Sequence, residues 1–179
     1  FLLGKTTPSF DLETEYNQDF ETAHIDADLL ESVRQSFLGV QLQTPPIYSA
    51  KQVDGKRAYD FARAGKEVEL KQSQIEITDF KIDASCFPEI DFEIACSKGT
   101  YIRTIAEDLG RALGCGAHVI ALRRLSAGPY LASDSVTFET LDACGSDAAL
   151  DSLLLSIDSA VAAWPEVRLN EDSAYYMRQ

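Results

Sequence analysis

Apolar residues recur at helical spacing in two stretches of the chain. Behind Asp26, a good N-cap residue, the apolar side chains of "LLESVRQSF" fall on one face and predict a helix over 27–38 that Gly39 ends. The block "YIRTIAEDLGRAL" repeats this spacing and predicts a second, amphipathic helix over 101–113, with Gly114 as its stop.

Strict alternation of apolar and polar residues predicts strands elsewhere. The segments 74–80 and 90–96 read as strands, and in the second the alternate residues from Ile90 to Cys96 are expected to face the core while the acids face water. The block "AHVIALRRL" predicts a third strand over 117–125. Strands and helices that mix without regular βαβ alternation favour an α+β fold, with a mixed, largely antiparallel sheet and flanking helices.

The segment between the first helix and the first strand is rich in turn signals. Pro45-Pro46 ends regular structure, and the dipeptide Asp54-Gly55 predicts a short hairpin over 49–56. A short helix over 59–64 follows, and Gly65 closes it.

Helical patterns return in the last third of the chain. Thr137 opens one helical segment, and "AALDSLLLSIDSAVAAW" predicts another. The pattern breaks near Trp164-Pro165, after which "EVRLNEDSAYYMRQ" looks like the beginning of a separate element.

Composition places the chain among globular proteins. Of its 179 residues, 45% are hydrophobic and 25% are charged. No apolar run approaches the roughly 20 residues that a membrane helix needs, and no membrane association is expected. The start "FLLGKTTPSF" lacks an initiating Met and the features of a signal peptide, so we expect that an upstream part is absent.

Charge is distributed unevenly along the chain. The net charge is -13, and residues 1–31 carry one base against eight acids. In contrast, residues 51–66 and residues 98–124 each carry five bases against two acids. Two basic islands in an acidic chain suit a polyanion that is held at the islands and repelled elsewhere. A mixed, salt-bridged surface is an equally good reading of charge alone.

Cysteine and histidine positions argue against metal or nucleophile chemistry. The spacing of the cysteines contains no close pair, which disfavours a zinc site and favours free thiols in a reducing cytoplasm: they are Cys86, Cys96, Cys115 and Cys144. Phosphate-loop, HExxH, GxSxG and dinucleotide motifs are absent from the sequence. The two histidines, His24 and His118, are expected to be structural.

Several stretches together resemble one family, the tRNA pseudouridine synthases of the TruB type. They are "LG" at Leu3-Gly4 with "TTPSFD" after it, "PPIYSAKQVDGKRAYDFARAGKEVEL" from Pro45, "CSKGTYIRTIAEDLGRALGCGAHVIALRRL" from Cys96, and "SVTFETL" from Ser135. The long block from Cys96 is the most specific, whereas the acidic opening departs from the threonine, aspartate and glycine that usually follow the LG pair.

The resemblance implies an enzyme that converts uridine 55 in the T-loop of tRNA to pseudouridine without a cofactor. Its partner would be the T-arm stem-loop of tRNA, and a cytoplasmic monomer is expected. Residues 1–163 would form a partial catalytic domain, with an RNA-gripping thumb insertion at about 44–70. Residues 164–179 would begin a truncated C-terminal region.

The resemblance also assigns residues to roles. Arg103 matches the arginine that orients the nucleophilic aspartate, while Tyr101 and Leu122 match residues that contact the flipped uridine. A planar guanidinium suits the first role because it fixes a carboxylate's orientation as well as its charge. The bases suited to RNA phosphates are Lys51, Lys56, Arg57, Arg63, Lys66, Lys98, Arg123 and Arg124. Arg123 and Arg124 are adjacent on a predicted strand, so at most one is expected to line the cleft.

One element of the family pattern is missing from the sequence. The catalytic aspartate of the family lies in a Gly-x-Leu-Asp-Pro type motif, which these 179 residues do not contain. Asp11, Asp54 and Asp108 lie in no such motif, so we expect no turnover by this chain alone. A non-catalytic RNA-binding module is a second interpretation, and an acidic protein-interaction domain is a third and weaker one.

Overall fold

The structure is a computed structural model that describes residues 1–53, 55–66 and 68–178. Its strands are β1 Leu2–Leu3, β2 Lys5–Thr6, β3 Gln18–Asp19, β4 Gly39–Gln43, β5 Gln52–Val53, β6 Lys56–Arg57, β7 Ser73–Asp83, β8 Asp91–Cys96, β9 Ala117–His118, β10 Ser126–Ala127 and β11 Tyr130–Leu131. Its α-helices are α1 Ala27–Ser36, α2 Ala58–Arg63, α3 Ile102–Ala112, α4 Phe138–Asp142, α5 Asp147–Asp151 and α6 Glu171–Met177. Two 3₁₀ helices cover Ala132–Asp134 and Ile157–Val161.

The predicted α+β class is confirmed, and every described strand pair is antiparallel. The main sheet has the order β4-β7-β8, and the other strands form two-stranded ladders. The long strand β7 lies at the centre because its alternate residues Ile75 and Ile77, and then Phe80 after a register shift, all turn toward the core. The core therefore lies on one face of this sheet.

Helix α3 covers that core and fixes the start of β9 beside it. Ile105 and Leu109 are fully buried on its inner face, as the sequence pattern predicts. Gly110 allows the helix to meet the chain at Gly116 and Ala117, because a Cβ at position 110 would overlap the backbone atoms of both residues. The close approach places the segment after β9 next to the first turn of α3.

The predicted helices over 27–38 and 101–113 and the strands over 74–80 and 90–96 are all present, with bounds shifted by a few residues. Asp26 caps α1 by accepting a hydrogen bond from the Leu29 amide at 2.8 Å. The predicted turn at Asp54 lies outside the described residues, although β5 and β6 form the two arms of a hairpin on either side of it.

Several local predictions were wrong. The strand predicted over 117–125 ends at His118, because only two residues pair with β1. Cys96, expected to face inward, is exposed because it lies at the end of β8, beyond the covered part of the sheet. The long helical segment after residue 147 is instead the short helix α5 and a 3₁₀ helix, in which no residue is buried.

The chain separates into two compact units, residues 1–122 and residues 123–179. The predicted division at residue 163 stays a prediction. The first unit contains all the buried apolar residues of the described chain, whereas the second consists of short helices and one hairpin with no buried residue. Within the described ranges, no helix combines the length and the apolar character that crossing a membrane requires.

Candidate active site around Arg103

The corner between β8 and α3 is held in place by a buried glutamine. Gly99 takes a positive φ of 85° in the turn, which glycine adopts without strain. Gln43, buried at the end of β4, accepts a hydrogen bond from the Tyr101 amide at 2.8 Å and donates to the Tyr101 carbonyl at 3.1 Å. This two-sided contact fixes the backbone at the start of α3 and thereby sets the direction in which Arg103 leaves the helix.

The Arg103 guanidinium joins its own helix to two other segments of the first unit. Its Nη1 lies 2.8 Å from Oδ2 of Asp11, and the same nitrogen donates to the Ser9 carbonyl at 3.4 Å. Its Nη2 donates to the Tyr48 carbonyl at 2.7 Å. The side chains of Arg103 and Asp11 are 23% and 18% exposed, so water screens the pair only in part. The guanidinium is thus fixed at the surface of a recess.

Asp11 is as firmly held as the arginine that it contacts. Its Oδ1 accepts hydrogen bonds from Ser9 Oγ at 2.6 Å and from the Glu13 amide at 2.9 Å. Burial raises the pKa of the Asp11 carboxyl, but the hydrogen bonds from Ser9, Glu13 and Arg103, together with the charge of Arg103, outweigh it and hold the pKa below its ordinary value. Asp11 therefore stays ionised and paired at neutral pH.

Two clefts open on either side of Arg103. The first has a volume of about 470 Å³, and its lining combines Asp11 with the apolar segment Val119–Leu122. The second has a volume of about 350 Å³ and is lined by Tyr48, Ser49, Tyr59, Arg63 and Tyr101 among others. Arg103 and Glu13 line both clefts, so the ion pair and its loop form the ridge between them.

The structure brings Arg103 together with the two residues predicted to contact the base, but on different sides. Leu122 is 55% exposed and lines the first cleft. Tyr101 lines the second cleft. The sequence prediction treated both residues as one contact surface, and it had no means of separating them, since the separation arises from the loop that carries Asp11 and Glu13.

The predicted RNA-binding residues of the segment 44–70 differ in whether their side chains already bind within the fold. Lys51 is engaged within the fold, because its Nζ donates to the Lys71 carbonyl at 2.9 Å and contacts Ser73 Oγ at 2.8 Å. Arg63 places its guanidinium carbon over the Tyr59 ring, 5.1 Å from the centroid, and both residues line the second cleft. The remaining bases of this segment are exposed: Lys56, Arg57 and Lys66.

The other predicted RNA-binding residues are also exposed. They are Lys98, in the turn before α3, and Arg123 and Arg124, at the start of the second unit. Arg123 and Arg124 lie in no strand, so the predicted strand that carried them is wrong, and the expectation that at most one of them lines the cleft stays a prediction.

Sequence reasoning missed two residues that organise the site. Asp11 was considered only as a nucleophile and set aside, although a carboxylate ahead of an arginine corner could have been considered as its ion-pair partner. Gln43 carries no signal in the sequence, because nothing local distinguishes it from the neighbouring Gln41. Its role depends on a contact between residues 58 positions apart.

Cysteines and histidines take no part in this site. Among the residues that the structure describes, no group of three or more His, Cys, Asp and Glu side chains is arranged to hold a metal ion. His24 Nε2 lies 2.8 Å from the Leu113 carbonyl and His118 Nδ1 lies 2.8 Å from the Lys5 carbonyl, which are structural contacts as predicted. All four cysteines are free, and burial raises the pKa of the Cys115 thiol.

Family models match nearly the whole chain. The model for the TruB family pseudouridylate synthase N-terminal domain matches residues 1–102, and the model for the tRNA pseudouridylate synthase B C-terminal domain matches residues 103–162. This chain belongs to the TruB family. The boundary between the two family models falls inside the Arg103 corner, so the TruB site described above draws on the segments that both models match.

Curated TruB relatives carry the name tRNA pseudouridine synthase B. The protein of Nitrosococcus oceani is 45% identical over 179 residues, which cover 99% of this chain and 58% of the relative. That of Stutzerimonas stutzeri is 45% identical over 177 residues, with 97% and 58% coverage, and that of Parabacteroides distasonis is 45% identical over 152 residues, with 85% and 61% coverage. The chain therefore spans about three fifths of the length of these relatives.

A solved structure has the same fold at lower sequence identity. One chain of a crystal structure of a Cbf5-Nop10-Gar1 complex superposes with a TM-score of 0.55 at 22% identity, covering 78% of this chain and 40% of that chain. This likeness supports the α+β architecture derived above from the strand pattern.

Proposed function

We propose that this TruB chain is the Arg103-bearing part of a tRNA pseudouridine synthase that isomerises uridine 55 in the T-loop. The observation that carries the proposal is the fixed guanidinium of Arg103 on the ridge between two clefts. An arginine held by two other segments of the fold is preorganised for a charged partner, and preorganised charge is a large contribution to catalysis.

Arg103 retains capacity for a second carboxylate. A guanidinium has five N–H donors, and among the described residues its partners are Asp11, Ser9 and Tyr48, all bound through Nη1 and Nη2. The Nε–H and one Nη2–H are left for the nucleophilic aspartate that the family motif supplies. In this arrangement Asp11 is a positioning residue that fixes the guanidinium, and the nucleophile is a different carboxylate.

The first cleft is suited to the target uracil. In the reaction, the nucleophilic aspartate attacks the target nucleotide and the glycosidic bond to N1 breaks. The uracil turns and is rejoined through C5, the aspartate is released, C5 loses its hydrogen to water, and N1 gains a proton. A base must leave the stack to reach such a site, which costs a few kcal/mol. The exposed side chain of Leu122 and the neighbouring apolar segment Val119–Ala121 offer a surface against which the flipped base recovers part of that cost.

The basic residues of the thumb segment and of the corner are suited to the phosphates of the T-arm. Folded RNA of this kind is recognised through its shape and backbone, so a few exposed cations suffice even in an acidic protein. The net charge of -13 directs the RNA to those cations by excluding it elsewhere. We expect a monomer that acts in the cytoplasm and needs no cofactor.

Tritium release from a T-arm stem-loop labelled at uridine C5 tests this proposal. The natural full-length protein is expected to release tritium, whereas the 179-residue chain alone is expected to bind the stem-loop without turnover, since its sequence has no Gly-x-Leu-Asp-Pro motif. Release by the 179-residue chain would contradict the assignment of the nucleophile. A folded full-length protein without release would favour a non-catalytic RNA-binding module.

The salt dependence of binding separates RNA binding from the acidic protein-interaction interpretation. Affinity for the stem-loop is expected to fall steeply with salt because each neutralised phosphate releases counterions. A protein-interaction domain with this net charge would bind no stem-loop at any salt concentration.

A further inference from the structure

The second cleft contains a carboxylate that the proposed reaction does not use. Glu13 lines this cleft with Arg63, yet the two side chains form no ion pair, and Glu13 forms none with any residue that the structure describes. Its backbone amide is anchored by Asp11 Oδ1 at 2.9 Å, so the position of the residue is fixed. A carboxylate here repels phosphate, which makes it a poor element of a backbone-binding surface.

A buried hydroxyl in the same cleft also lacks a partner. Ser49 is 5% exposed, and its Oγ has no hydrogen-bond partner among the described residues. A buried polar group without a partner is costly, and such groups in folded proteins call for an explanation. A ligand that enters the cleft and pairs with this hydroxyl provides one.

The remaining lining of the cleft is aromatic and cationic. Tyr48, Tyr59 and Tyr101 line the cleft, and the Arg63 guanidinium carbon lies over the Tyr59 ring, 5.1 Å from its centroid. Aromatic rings and guanidinium planes are the surfaces on which unstacked RNA bases are held. Stacking surfaces beside hydrogen-bonding groups are the combination that recognises a base by its edge.

We propose that the second cleft binds an unpaired, amine-bearing nucleobase adjacent to the target uridine, and that Glu13 and Ser49 determine its specificity. The carboxylate of Glu13 accepts hydrogen bonds from the amino group of the base, as acidic side chains do with exocyclic amines. Uracil fits poorly because its N3–H lies between two carbonyl oxygens that repel a carboxylate. The inference rests on the proposed function, and it deepens that function by adding a second recognition site across the Arg103 ridge.

The test measures the affinity of the natural full-length protein for a fluorescent T-arm stem-loop. Glu13→Gln is compared with Glu15→Gln, an exposed glutamate two residues away that lines neither cleft. If charge repulsion alone acted, both substitutions would tighten RNA binding, because each removes one negative charge. We expect Glu13→Gln to weaken binding about tenfold through the lost charged hydrogen bonds, and Glu15→Gln to leave it unchanged or tighter.

A second arm changes the RNA instead of the protein. Each unpaired loop position in turn receives a base without the amino group: inosine for guanosine, uridine for cytidine, or purine riboside for adenosine. At one position, the change is expected to weaken binding to the wild-type protein about tenfold and to have little further effect on the Glu13→Gln protein. Weakening that is equal in both proteins at every position would overturn the proposal.

Ser49→Ala provides a third readout, in which stability is expected to hold or rise while RNA binding falls. It is expected to leave the fold as stable or more stable, because an unpaired buried hydroxyl is removed, while weakening stem-loop binding severalfold. If the wild-type protein binds the stem-loop and the Glu13→Gln protein binds it equally well or better, this inference alone is refuted. Wild-type protein that binds no stem-loop refutes the proposed function as well.

Discussion

Residues 1–122 and residues 123–179 show the same kinds of sequence pattern with different structural results. In the first unit, helix α3 buries five residues against the sheet, whereas in the second unit α4, α5 and α6 bury none. Both regions have N-caps and apolar residues at helical spacing. An apolar face therefore produces a long helix only where a partner surface covers it, because most helical stability in proteins comes from packing.

Truncation of leucines is expected to give the largest contrast between the two units. Leu109 is 0% exposed and Leu154 is 74% exposed. Leu109→Ala should lower the free energy of unfolding by about 2–5 kcal/mol because it leaves a cavity in the core, while Leu154→Ala should change it by less than about 0.5 kcal/mol. Urea denaturation followed by circular dichroism measures both, and comparable losses would show that the two regions do not differ in packing.

Substitution of one glycine in each unit is expected to give the second-largest difference in the free energy of unfolding. Gly110→Ala places a Cβ into the backbone at Gly116 and Ala117, and should lower the free energy of unfolding by about 1–3 kcal/mol despite alanine's better helix propensity. Gly145→Ala meets no atom within 4 Å and should be neutral. Thermal unfolding of both variants checks this, and a Gly110→Ala protein as stable as the wild type would contradict the close approach.

Removal of one N-cap side chain in each unit is expected to give a smaller difference in the free energy of unfolding, although the two caps have hydrogen bonds of equal length. Asp26 accepts from the Leu29 amide at 2.8 Å, and Asn170 accepts from the Ser173 amide at 2.8 Å. Asp26→Ala should lower the free energy of unfolding of residues 1–122 by about 1 kcal/mol, since α1 packs on the core through Leu30. Asn170→Ala should leave that free energy unchanged. Asp26→Asn, which retains a capping oxygen, is the control and should behave like the wild type in denaturation.

Protonation of the Asp11 carboxyl is expected to give the smallest effect, a loss of wild-type stability that is confined to acid pH. Its pKa lies below the ordinary value of 3.8, so the folded state favours the ionised form. The resulting stabilisation is fully present well above pH 3.8 and is lost as the pH falls through the folded pKa. Asp11→Asn should therefore flatten the acid limb of a plot of stability against pH. An unchanged acid limb would mean that Asp11 is not bound as described.

The sequence predicted the elements whose signals are local. The N-cap at Asp26, the glycine stops and the alternation in β7 and β8 each act within a few residues, so helix and strand bounds could be placed closely. The strand predicted over 117–125 failed because its apolar run continues after pairing with β1 has ended. A run of apolar residues is consistent with a buried strand and equally with the lining of a cleft. Here Val119–Leu122 lines the first cleft.

The candidate site could be predicted only in part. Arg103 and Tyr101 lie in a specific motif and were found. Asp11 and Gln43 contact them from 92 and 58 positions away, and a single sequence contains no information on such contacts. The sequence also did not show that Lys51 is bound within the fold, since its hydrogen bonds to Lys71 and Ser73 join residues that are 20 and 22 positions apart.

The most direct measurement is the rate of C5 tritium release by the natural full-length protein with Arg103→Lys, compared with Arg111→Lys. Both arginines lie on α3, but the side chain of Arg111 is 67% exposed and pairs only with Glu107 and Asp108 on its own helix. We predict that Arg103→Lys slows release about a hundredfold or more, because a lysine cannot hold Asp11 and a second carboxylate in a fixed fork, while Arg111→Lys leaves the rate unchanged. Equal rates for both variants, with the fold intact, would contradict the central role of Arg103.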